Sequence, residues 1–293
     1  MIKYLLKSIK KIYRLCSDFL FKKILLPYRA KFGRELSPNK WVFIIGCYNS
    51  GTTLLSRILS QHDKISSMPD EGVFYTDVLR APEEFGWSRL WIKCLNQMNE
   101  IFSKKESQYL SDRIKKQWSY MYENADAPIL LEKSISNITR LKFLDEYFKP
   151  AYFIYLVRDG YAVSEGICRK AKPYKWGNMS YPKGYNLDMC SKQWVETDAK
   201  FEEQFKGLNN VLIVKYESLT KDPVNTLESI TNFIGVTQLP EELLSSDWSI
   251  HEKNEIIQNM NHKSYNNLTN DDIAIIEKQA KNVLIKYGYF PLK

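Results

Sequence analysis

The chain has 293 residues, 44% of them hydrophobic and 26% charged, so a packed core is expected in one large domain or two small ones. The net charge of +8 is unevenly placed: residues 1–40 hold 11 basic and 2 acidic side chains, the remainder 31 and 32. The basic excess belongs to an N-terminal arm, and a general nucleic-acid-binding surface on the body is not supported.

The arm, residues 1–38, reads as a basic amphipathic helix. Ile2, Leu5, Ile9, Ile12, Cys16 and Phe19 make one stripe; Lys3, Lys7, Lys10 and Arg14 make another. Lysines break every apolar run well short of the roughly 18 residues of a spanning helix. No secretory apolar region with a small-residue cleavage site is recognisable. Residues 1–26 suit an anionic membrane surface, or docking on this domain or on a second subunit.

Pro38 closes the arm, and residues 39–293 alternate strands and helices. The patterns predict a strand at 41–45, a helix over 51–61, mostly helix over 73–125, and a short strand at 129–131. Asn137 is expected to cap a helix that carries Ile138, Leu141, Leu144 and Phe148 on one face. "AYFIYLV" (151–157) is an unbroken strand, followed by a helix at about 161–169 and a loop over 171–186. A helix at 187–206, a strand at 210–216 and a helix after Pro223 complete the alternation. Unbroken strands between helices predict a three-layer α/β sandwich, a central parallel sheet flanked by helices. The five dispersed cysteines form no CxxC pair and the three histidines no metal-ligand spacing, so no metal is expected. A reducing, cytoplasmic setting fits, peripheral at a membrane through the arm; a secretory lumen stays open.

Residues 46–53, "GCYNSGTT", keep both glycines and the last threonine of the phosphate-loop pattern GxxxxGK[ST], but Thr52 replaces the lysine. Backbone N–H groups at the helix start can still bind an anion. The charge that grips β and γ phosphates is missing, which disfavours a small-molecule kinase, the second reading. Arg158 ends the strand 151–157, at the sheet edge where ligands bind, and its planar fork suits a phosphate. Ser164 can offer a hydroxyl nearby; taken alone, Arg158–Asp159 reads equally as a surface ion pair.

Together these stretches resemble the P-loop-like sulfotransferases that use 3′-phosphoadenosine 5′-phosphosulfate (PAPS), in the branch of tyrosylprotein and bacterial enzymes. "GCYNSGTTLL" resembles their 5′-phosphosulfate loop and "IYLVRDGYAVS" their 3′-phosphate site. "VLIVKYESLTKDPVNTL" (211–227) and "LIKYGYFP" resemble their closing segments. The resemblance implies sulfonate transfer from PAPS to an acceptor alcohol, with Ser50, Gly51, Thr52 and Thr53 cradling the phosphosulfate. Arg158 and Ser164 would bind the 3′-phosphate. Glu71, in "SSMPDEGVF", matches the family's general base, with His62 as alternative, and Lys133 matches a lysine that stabilises developing charge. Lys263 corresponds to a late basic residue near the 5′ side, and Tyr216 lies where it can line the adenine pocket.

Asn49 departs from the family, which commonly has Arg or Lys there. Another cation then takes over, Lys133 and Lys263 being the candidates, or catalysis is altered, or the chain is a non-catalytic binding protein. The acceptor is expected to be a carbohydrate or lipid-linked glycan, with a phenol or peptide tyrosine as second choice. Segments 73–125 and 171–186 would wall it, bringing Trp87, Trp91, Tyr174, Trp176 and Tyr181 as candidate stacking residues.

Overall fold

The computed structural model describes residues 20–103, 106–240, 248–250, 253–255 and 257–292. Most of the expected amphipathic arm, including the stripe from Ile2 to Phe19, lies outside these residues. Its described end is helical: a turn of π-helix (Phe21–Leu25) runs into α1 (Leu26–Phe32). Leu26 is buried and its carbonyl accepts from Gln117 Nε2 at 3.0 Å, so this end docks on the body. The outer side keeps Leu20, Ile24, Leu25, Tyr28 and Phe32 exposed. Among the described residues no helix is long and apolar enough to cross a membrane.

Five parallel strands form the central sheet in the order β2-β3-β1-β4-β5: β1 (Lys40–Gly46), β2 (Ile65–Ser67), β3 (Ile129–Glu132), β4 (Ala151–Val157) and β5 (Val211–Lys215). The unbroken runs follow from burial on both faces. Trp41, Phe43 and Ile45 point into one core with Phe153 and Tyr155; Val42 and Ile44 point into the other with Ile154 and Leu156. The three-layer parallel architecture is the expected one. Strand β2 went unpredicted because three residues carry no periodicity.

The helix α2 (Thr52–Leu59) after β1 packs through Leu55 and Ile58 on the Val42 side. The helix α3 (Ser107–Trp118) supports α1, and α4 (Leu141–Tyr147) follows β3. After β4, α5 (Gly160–Lys170) packs through Tyr161, Val163 and Ile167 on the Trp41 side. α6 (Leu187–Phe205) joins it there, while α7 (Pro223–Ile234) covers the other face. A short α8 (Asn261–Tyr265) and a long α9 (Asn270–Tyr287) end the chain. Because neighbouring β1 and β4 send their helices to opposite faces, a crevice opens beyond their carboxyl ends.

Two expectations are corrected. Residues 73–125 are helical only in short pieces: 3₁₀ turns (Gly72–Tyr75, Pro82–Phe85, Trp91–Lys93, Glu100–Ser103), a five-residue α-helical piece (Leu95–Asn99) and α3. Pro82, the left-handed Gly86 (φ 79°) and the left-handed Arg89 (φ 62°) break the periodicity, and the apolar residues that mimic a stripe are buried turn residues such as Leu90 and Trp91. Asn137 caps nothing; it is buried and its Nδ2 donates to Glu132 Oε2 at 2.6 Å. The helix face of Leu141 and Leu144 is buried as expected.

Candidate active site

The loop between β1 and α2 curls tightly. Asn49 (φ 65°) and Gly51 (φ 91°) adopt left-handed backbone, and Ser50 N–H donates to Cys47 O at 3.2 Å. A Cβ on Gly51 would lie 2.6 Å from the Tyr216 ring, so only glycine fits both the φ and the space. The helix start leaves N–H groups and the positive end of a dipole facing the cavity, which measures about 890 Å³. Gly51, Thr52 and Thr53 line it. Ser50 is buried, yet its hydroxyl has no hydrogen-bond partner among the described residues. An orphaned hydroxyl beside a helix N-terminus fits an anionic ligand.

Arg158 lies at the end of β4, as its sequence position implied. Its Nε donates to Asn261 Oδ1 (2.8 Å), its Nη1 to Asn49 O (2.6 Å), and its guanidinium lies over the Tyr216 ring, 4.2 Å from the centroid. Glu217 anchors this assembly. Its Oε1 accepts from Asp159 N–H (3.0 Å) and Asn261 Nδ2 (2.7 Å), and its Oε2 from Tyr289 O–H (2.6 Å). The Tyr-Glu-x-Leu and closing Gly-Tyr segments thus meet around one carboxylate that fixes the arginine. Tyr216 lines the cavity, and its O–H donates to Gln258 O at 3.0 Å. Lys263 lines the far rim from α8, exposed to solvent.

Ser164 does not line the cavity. It is fully buried and its hydroxyl donates to Gly160 O at 2.6 Å. On α5 the cavity-facing positions are Ala162, Gly166, Arg169 and Lys170, four positions of one helical face, and Ser164 falls about half a turn away.

Glu71 and Lys133 do meet. Lys133 Nζ lies 3.3 Å from Glu71 Oε1, Ile135 N–H donates to Glu71 Oε2 at 3.3 Å, and both side chains line the cavity. Their loop is pinned from beneath. Gly72 N–H donates to the buried Glu132 Oε1 at 2.8 Å, and Trp118 Nε1 donates to Gly72 O at 2.9 Å. Glu132 also accepts from the Ser134 hydroxyl, and burial pushes its pKa up to about 7. His62 is elsewhere, bonded to Thr237 Oγ1 at 3.0 Å and outside the cavity lining.

The opposite wall comes from 83–89 and 171–186. Gly86 packs on Asn178 and Trp176 O, and Trp87 packs between Tyr181 and Tyr185. Trp176 lines the cavity, while Trp91 is core. Neither Glu83 nor Arg89, both on this wall, was signalled by the sequence. Burial pushes Glu83 up to about 7, helped by the nearby Glu71 charge and opposed by Arg89.

A parallel sheet with an intact anion loop, no loop lysine and a carboxylate–lysine pair at the same edge defines a P-loop-like group transferase. The profile described as "Sulfotransferase family" matches residues 42–241, and the chain belongs to that family and to the PAPS-dependent sulfotransferases its motifs resemble. Among solved structures it is similar to the sulfotransferase domain of the Synechococcus PCC 7002 olefin synthase (21% identical, TM-score 0.53, covering 84% of this chain and 96% of that one). It is also similar to the sulfotransferase domain from the curacin biosynthetic pathway (18%, 0.52, 87% and 99%). Sulfotransferase STF1 of Mycobacterium tuberculosis H37Rv is a third (14%, 0.50, 92% and 82%). At these identities the likeness is one of fold. No curated protein matches the chain.

Proposed function

We propose that the protein moves a sulfonate group from PAPS to an acceptor hydroxyl of a carbohydrate or glycolipid, by in-line displacement with Glu71 as base. The observation that carries this reading is the α2 N-terminus, whose Gly51, Thr52 and Thr53 line the same cavity as Arg158 and the Glu71–Lys133 pair. PAPS supplies a sulfonate already activated by its bond to phosphate. The loop from Ser50 to Thr53 holds the 5′ end through backbone N–H groups. Arg158, held by Asn261 and Glu217, takes the 3′-phosphate, and Lys263 adds a cation from the rim.

Glu71 accepts the acceptor's proton as the acceptor oxygen bonds to sulfur. The bond from sulfur to the 5′-phosphate oxygen breaks, and its electron pair leaves on that oxygen. Lys133, bonded to the same carboxylate, stabilises this charge. Threonine at position 52 disfavours an ATP-dependent kinase.

Trp176 lines the cavity wall and is the candidate for stacking on a sugar. The exposed Leu20, Ile24, Tyr28 and Phe32 carry apolar surface on from the basic arm, which suits an enzyme peripheral at the cytoplasmic face of a membrane with a lipid-linked substrate. The test offers radiolabelled PAPS with free glycans, lipid-linked sugars and phenols, each with and without anionic vesicles. Transfer to a sugar, lost in Glu71→Gln, is expected. Transfer to phenols alone would change the acceptor class. No transfer to any acceptor by protein that binds the product 3′,5′-adenosine diphosphate (PAP) would refute catalysis.

A further inference from the structure

The family's loop cation is absent at Asn49, and neither Lys133 nor Lys263 has a hydrogen bond to that residue among the described ones. Arg89 does, although sequence reading never singled it out. Its Nη1 lies 3.3 Å from Asn49 Oδ1, and its guanidinium lies 5.9 Å from the ring centroid of the adjacent Tyr48. We propose that Arg89 supplies from the opposite wall the charge the loop lacks at Asn49, gripping the sulfonate of the donor. This assignment rests on the PAPS reading and deepens it.

Three features support it. First, Arg89 holds a left-handed backbone (φ 62°), which costs energy for a non-glycine residue and tends to persist where function needs it. Its N–H donates to Glu83 Oε1 at 3.0 Å, which fixes that backbone. Second, the guanidinium makes no salt bridge among the described residues, although it lines the cavity. The carboxyl that holds its backbone, Glu83, is pushed up to about 7 by burial, so its negative charge is incomplete at neutral pH.

Third, Asn49 is itself packed away. A Cβ on Gly166 would come within 3.2 Å of Asn49 Cγ and Nδ2, so the side chain lies against α5. Asn49 Nδ2 is buried there without a partner among the described residues. Lys170, one turn on, has its pKa lowered to about 8 by burial and then by Arg89, Arg169 and Arg158. Its surroundings are those of cations gathered where an anion would relieve their repulsion. A planar guanidinium can meet two sulfonate oxygens at once, and such a contact strengthens as charge builds in the transition state.

The experiment measures PAPS and PAP affinity by calorimetry for wild type, Arg89→Ala, Arg89→Lys and the Arg89→Ala/Asn49→Arg double variant, with melting curves to confirm folding. PAP lacks the sulfonate, so it reports the rest of the donor site. Arg89→Ala should weaken PAPS about tenfold or more and PAP less than about threefold. Arg89→Lys should fall between the two, and the double variant should regain PAPS affinity because the cation returns from the loop side. Equal loss of PAPS and PAP, or loss of neither, overturns the assignment. If wild type binds neither nucleotide, the donor reading itself fails, a result distinguishable from failure of Arg89 alone.

Discussion

Arg158 and Arg89 face the same cavity and hold their places by different means. Arg158 ends a strand buried in the sheet, and Glu217, Asn261 and Tyr289 converge to fix it. Arg89 sits among short turns, on left-handed backbone, its N–H tied to Glu83 and its guanidinium to Asn49. The donor wall uses strand ends and helix starts, whose geometry regular structure repeats from protein to protein. The wall proposed for the acceptor uses turns packed on turns, where residue identity follows the substrate rather than the fold. Changes on the proposed donor wall should therefore alter nucleotide binding, and changes on the proposed acceptor wall should alter acceptor use, except at Arg89, which reaches across to the Asn49 loop.

The largest break in that division is expected at Glu71, the proposed base. Glu71→Gln should lower kcat about 10²–10⁴-fold while PAP affinity moves by less than about threefold, measured by single-turnover transfer and calorimetry. Parallel loss of PAP binding would make Glu71 a structural residue. Next comes Glu217. Glu217→Ala leaves Asp159 N–H, Asn261 Nδ2 and Tyr289 O–H short of an acceptor, at about 1–3 kcal/mol for an unsatisfied buried group. A PAP affinity about tenfold weaker and a melting point several degrees lower are expected, with acceptor KM little changed.

Trp176→Ala should do the reverse, raising acceptor KM several-fold while PAP affinity holds; equal effects on both would erase the distinction between the walls. The smallest effect is in pH. Burial and the neighbouring arginines lower the Lys170 pKa to about 8, and a phosphate bound beside it would favour its charged form. PAP affinity should thus be full below pH 8 and decline a few-fold as pH rises through 8 towards the ordinary lysine range. The same titration in buffers of different ionisation enthalpy should register proton uptake near pH 8. A Lys170→Met variant that keeps the full decline would assign it to another group.

How much of this was legible in the sequence follows the same boundary. The loop glycines and the unbroken strand before Arg158 could be read because backbone geometry constrains them; Glu71 and Lys133 were legible only through the family resemblance. The sheet and its parallel sense followed from unbroken strands alternating with helices. Ser164 was misjudged by nearness along the chain: helical phase puts Gly166 at the cavity and Ser164 behind it. Arg89 and Glu83 left no trace because turns have no period, and the apolar residues around them imitate a helix while filling the core. Glu217 was visible only as part of a matched segment; its three partners come from positions 159, 261 and 289, which only the fold brings together.

The central claim is a donor site for PAPS built on the Ser50 loop and Arg158, and titration of PAP into wild type and Arg158→Ala tests it most directly. Saturable binding by wild type is expected, weakened about tenfold to a hundredfold or more in the variant, with melting curves showing both proteins folded. Wild-type protein that shows no binding at millimolar PAP, or an Arg158→Ala variant that binds PAP as well as wild type, would contradict it.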